Sequence, residues 1–148
     1  MTKNRLFRLG VFLLIFVSAL MAFALQARAQ AVSNLTVRVT GIRNTKGKIN
    51  LALYKDSKFV SDQEVEIDAK TLTAVAVFDK LPQGIYSANL FHDENMNGKL
   101  DTNLFGMPVE GYGFSNNPKK RTGKPGFDET NFQLNQPDVA IEIKMIYW

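Results

Sequence analysis

Asp93, Asn95, Asn97 and Asp101 fall at alternate positions of one short run, "HDENMNGKLD", His92 to Asp101. Half of its ten residues are Asp, Asn or Glu. Calcium is held by carboxylate, amide and backbone-carbonyl oxygens in a flexible arrangement, and alternation brings such side chains around one point. Counted from Asp93 as position one, Asn95 is third and Asn97 fifth. Gly98 is sixth, where a calcium loop turns sharply. Lys99, seventh, offers its carbonyl, and Asp101 falls at nine. Position twelve is Leu104 and not the Glu that would supply two oxygens, so Glu110 is the next acid able to replace it if the chain folds back. The expected ion is Ca2+, bound weakly, with a dissociation constant on the order of 10⁻⁴ to 10⁻³ M; Mg2+ demands stricter geometry. The alternative is an Asx-rich turn whose side chains cap their own backbone. It accounts for the asparagines and the glycine more readily than for aspartates at the first and ninth places.

Two further runs carry chemistry. "GYGFSNN", Gly111 to Asn117, sets Tyr112 and Phe114 beside Asn116. Aromatic rings next to amides suit stacking on a sugar or peptide. The same rings could close the end of a β-sandwich, with the glycines letting the backbone turn. "PKKRTGK", Pro118 to Lys124, gathers Lys119, Lys120 and Arg121 into a positive cluster, suited to an anionic surface or to a solvated loop tip. The expected binding surface is therefore Tyr112, Phe114, Asn116, Lys119, Lys120 and Arg121, with a cell-envelope glycan or an anionic surface as partner.

Catalysis is the weaker reading. His92 is the single histidine, and neither Ser87 nor Ser115 stands in a nucleophile-elbow pattern. A strand-end histidine packed on the sheet or bonded to a loop is expected, placed to orient the Asp93 loop from behind. Asp93, Asp101 or Glu110 could form the carboxylate pair of an envelope hydrolase, but interleaved asparagines suit ligation better than proton transfer. The expectation is a non-catalytic module; a purely structural one without metal is the third reading.

The first thirty residues define the compartment. Lys3, Arg5 and Arg8 precede an uncharged run, Leu9 to Leu25, and "ARA" follows at Ala27 to Ala29. This order is that of a secretory signal peptide over residues 1–29, although the run approaches the length of a membrane anchor. The expected product is a single domain, 30–148, exported to the periplasm or beyond, with no transmembrane segment after cleavage. Of 18 Lys and Arg, four precede Gln30, and none of the 14 Asp and Glu does. The domain is thus electrically balanced, which speaks against nucleic acid as a partner. There is no cysteine, so no disulfide supports the fold.

Period-two alternation marks the elements that must position these residues. Leu35, Val37 and Val39 alternate with polar residues, as do Ile49, Leu51 and Leu53, and the "NTKGK" turn between them predicts a hairpin. Val65 and Ile67 mark a short edge strand, and "TLTAVAVF" a fourth. "LPQG" is a tight turn before "IYSANLFHD", with Tyr86, Ala88 and Leu90 on one face. "TNFQL" and "DVAIEIKMIYW" complete seven strands. The fold class is all-β, a seven-stranded antiparallel β-sandwich with one long ordered loop, 93–127, whose aromatic content argues against disorder. A membrane barrel fails because Glu142 and Lys144 would face lipid.

The runs "HDENMNGKLDTN" and "FGMPVEGYGFSNN", within a match from about Leu35 to Tyr147, resemble domain-of-unknown-function family 2141, exported bacterial proteins. The resemblance implies a prealbumin-like or transthyretin-like β-sandwich. It brings no established activity, ligand or site residue.

Overall fold

The computed structural model describes residues 31–119 and 123–148. Residues 1–29, expected as a signal peptide, lie outside the described residues, as do Lys120 and Arg121. Eight strands form two sheets. β1 (Val32–Thr40), β4 (Ala74–Pro82) and β8 (Asp138–Lys144) make the first, in the order β4-β1-β8. β2 (Lys48–Lys55), β3 (Lys58–Val65), β5 (Gly84–Asp93) and β6 (Tyr112–Phe114) make the second, in the order β3-β2-β5-β6. β7 (Asn131–Leu134) pairs with the first half of β5, below β6. A single helical turn, α1 (Phe127–Thr130), leads into β7.

The alternation read from the sequence is what packs the two sheets. Leu35, Val37 and Val39 of β1, with Ala74, Ala76 and Phe78 of β4 and Ile143 of β8, face Ile49, Leu51 and Leu53 of β2 and Tyr86, Ala88 and Leu90 of β5. Burying one face of each sheet is the dominant stabilising contribution in a chain without cross-links.

The connections differ from expectation in three ways. β1 and β2 are not a hairpin: β1 pairs with β4 and β8, so the "NTKGK" turn carries the chain from one sheet to the other. The hairpin is β2–β3, closed by Asp56 and Ser57, both at positive φ as a two-residue hairpin turn demands. Second, the sandwich is mixed, because β8 runs parallel to β1 from Asn34↔Asp138 to Thr40↔Lys144. Third, there are eight strands and not seven, because the long loop contributes β6. The "LPQG" corner likewise switches sheets, with only Gln83 between β4 and β5. No helix among the described residues is long and apolar enough to cross a membrane.

Candidate functional site

The site grows from the last residues of β5. Asp93 is buried, and its carboxylate turns into its own loop: Oδ1 accepts the N–H of Asn97 at 3.0 Å and Oδ2 that of Gly98 at 2.7 Å. Asn50 of the neighbouring β2 adds a third bond to Oδ2 at 3.2 Å. The side-chain oxygens of Asn95 and Asn97 accept the N–H groups of Asn97 and Lys99, at 3.1 and 2.8 Å. Their amide nitrogens both point at Asp101, at 2.6 Å from Asn95 and 3.1 Å from Asn97. Met96 and Gly98 take positive φ to allow these turns.

A small hairpin springs from this loop. Val109 N–H bonds to the carbonyl of Asp101, Asn103 N–H to that of Met107, and Thr102 bridges Pro108. The Asn103 side-chain oxygen caps the tip, accepting from Phe105 and Met107 at 2.9 and 3.0 Å. The tip exposes Leu104 and Phe105 almost entirely, at 102% and 90%. Glu110 closes the base: buried, it accepts the N–H of Glu94 on one oxygen at 2.9 Å and that of Asp101 on the other at 3.0 Å.

Beneath the loop lies a second polar cluster. His92 is fully buried, with Nε2 2.6 Å from the carbonyl of Lys46 and Nδ1 2.8 Å from the hydroxyl of Tyr147. A carbonyl only accepts, so Nε2 carries a proton and donates it to the Lys46 carbonyl. Glu94 turns away from the loop towards Arg43 and Asn44, at 2.7 and 3.2 Å. Partial burial alone would raise its pKa. Hydrogen bonds from Asn44 and Arg43, with the arginine's charge, outweigh that and hold it below the usual carboxylate value. Burial raises the Tyr147 phenol.

On the outer face of the second sheet, an aromatic cleft of about 520 Å³ opens beside the hairpin. Phe91, Tyr112, Phe114 and Trp148 supply its rings, and Met107 and Pro108 of the hairpin one wall. The Trp148 indole donates to the Tyr112 hydroxyl at 2.8 Å, and Tyr112 meets Phe114 edge-on at 5.9 Å. Tyr112 also exchanges both backbone hydrogen bonds with Ile146, which ties β6 to the end of the chain.

The predicted ligand residues Asp93, Asn95, Asn97, Lys99, Asp101 and Glu110 thus meet in one network, though two of the three acids face backbone N–H groups. Among the described residues, no three His, Asp or Glu side chains converge as a metal-holding group. Of the predicted binding surface, Tyr112 and Phe114 line the cleft. Asn116 bonds instead to the carbonyl of Asn131 at 2.5 Å, and Lys119 is exposed outside the lining. Sequence reasoning missed Asn50, Arg43, Phe91, Met107 and the role of Trp148, while Lys124, the last residue of the basic run, does line the cleft. Phe91 did leave a signal, a large apolar residue on the outward face of β5.

Fold and site define an all-β sandwich with an Asx-rich loop set beside an aromatic cleft. The chain belongs to domain-of-unknown-function family 2141, described as an uncharacterized protein conserved in bacteria, whose family model matches residues 37–142. Neither the curated proteins nor the solved structures yield a match.

Proposed function

We propose that the protein is an exported, non-catalytic binding module whose Asp93–Asp101 loop takes a calcium ion weakly and thereby fixes one wall of the aromatic cleft. The observation that carries this reading is mechanical continuity. The loop ends at Asp101, the hairpin that begins there carries Met107 and Pro108 into the cleft, and Glu110 clamps its base two residues before Tyr112. Two amide nitrogens directed at the Asp101 carboxylate mark where a cation would be favoured. Rotating both amides would present oxygens there, the chemistry calcium accepts, in exchange for their bonds to the N–H groups of Asn97 and Lys99. The family contributes no activity. The non-catalytic reading is supported by the engagement of both His92 nitrogens and by the buried Ser115 hydroxyl, which bonds to Ala88 and Thr130.

One observation favours the metal-free structural reading: both oxygens of Asp93 and of Glu110 already have backbone donors. Thermal unfolding with calcium, magnesium or chelator separates the two. At about 100 times its dissociation constant, calcium adds roughly 2.7 kcal/mol, several degrees of melting temperature. Asp101→Asn should abolish that increment with little loss of stability in chelator. It is a better probe than Asp93→Ala, which strips buried N–H groups of their acceptor whether or not an ion binds. Equal melting in calcium and chelator would leave the loop a turn.

A further inference from the structure

The aromatic cleft does not end blindly. A second hollow of about 170 Å³ adjoins it, and the two share Asn89, Phe114, Lys124 and Pro125. Their chemistry differs. The larger is walled by rings and by Met107, Pro108 and Ile146. The smaller is lined by Ser57, Ser87 and Thr130, with Tyr54 and Phe127 at its sides. Among the described lining residues of either, Lys124 is the one with a charged side chain. The larger hollow is of the size that holds small molecules.

From this division we propose that the outer groove of the second sheet binds an amphipathic anion, a small molecule with an apolar body and a carboxylate, sulfonate or phosphate head. The apolar body fills the ring-lined hollow. The head lies at the junction, where Lys124 and Asn89, which line both hollows, adjoin Ser57 and Ser87 of the smaller one. A neutral sugar would leave the apolar walls of Met107, Ile146 and Phe91 without matching surface. A cationic amphiphile would meet Lys124. A buried apolar surface gives affinity, and one charge-assisted contact orients the ligand. The inference rests on the binding-module reading and adds the chemistry of the ligand.

Trp148 is the single tryptophan and stands in the cleft wall, so its emission reports occupancy directly. The probes are decanoate, decanol and decylammonium, titrated as monomers into the purified protein. Decanoate should give a saturable change and bind roughly fivefold or more tighter than the other two. Lys124→Gln should weaken decanoate by a similar factor and leave decanol unchanged, whereas Phe91→Ala should weaken both. Equal affinity for all three chains, or decanoate binding indifferent to Lys124→Gln, overturns the anionic assignment. No saturable response to any monomer overturns the site. Response only to phosphatidylglycerol vesicles does so too, and assigns the surface to a bilayer. The calcium increment in melting is read without any of these ligands. Its persistence alongside a silent cleft would sink this inference alone.

Discussion

Glu110 accepts the backbone N–H of Asp101 at 3.0 Å while its other carboxylate oxygen holds that of Glu94 at 2.9 Å. One buried side chain thus joins the end of β5, the last residue of the polar loop and the strand that lines the cleft. Glu110→Ala leaves two N–H groups without an acceptor, and should lower stability by about 2–4 kcal/mol in urea unfolding. Glu110→Gln, which keeps one acceptor, should fall between wild type and alanine. Limited proteolysis should open the hairpin at Leu104–Phe105 in the alanine variant first.

Gly47 has a comparable role from the opposite side. It takes φ +63, and a Cβ there would lie 1.7 Å from the carbonyl oxygen of Asp93. The obstacle is backbone, so no side-chain rotation relieves it. Gly47→Ala should cost at least about 2 kcal/mol by thermal or urea unfolding. Gly98→Ala, with nothing within 4 Å of the added methyl, meets only the backbone penalty of its φ of +76 and should cost about 1 kcal/mol.

The pH dependence has two sides. Glu94 is held below its ordinary value of 4.5, so it contributes stability that is present above that value and lost as pH falls through the depressed one. Glu94→Gln should flatten the acid limb of melting temperature against pH below about 4.5. Tyr147 is raised above 10.0, so its contribution is present below that value and lost as pH rises through the raised one. Tyr147→Phe should flatten part of the alkaline limb. Tyr86, raised by burial as well, and Lys48, raised by Glu66 and Glu64, contribute to the part that remains.

How much of this was legible in the sequence follows from the range of each interaction. The loop is local: Asp93 bonds four and five residues ahead and Asn97 two and four, so spacing alone placed the network. The core of β1 and β2 was legible because burial alternates along each strand, whereas β5 alternates only in part, with Ser87 and Asp93 of its outer face buried as well. β3 was misplaced, since it is an edge strand with Phe59 and Val60 exposed and little alternation to read. The parallel pairing of β1 with β8 spans about a hundred residues, and no local pattern encodes it. β6 is three residues long and exists because Leu90 and Ile146 flank it. The cleft draws on five separated stretches, from Asn89 to Trp148, so only its two rings on β6 could be named in advance.

The most direct test of the calcium-ordered loop is amide hydrogen exchange, followed residue by residue with calcium and with chelator. The account predicts slower exchange in calcium at Asn97, Gly98, Lys99 and Asp101. It also predicts slowing at Asn103, Met107 and Val109 in the hairpin that walls the cleft, and no slowing in Asp101→Asn. Identical exchange in calcium and chelator across 93–110, at calcium above about 10 mM, would contradict it and leave the loop an Asx turn that needs no ion.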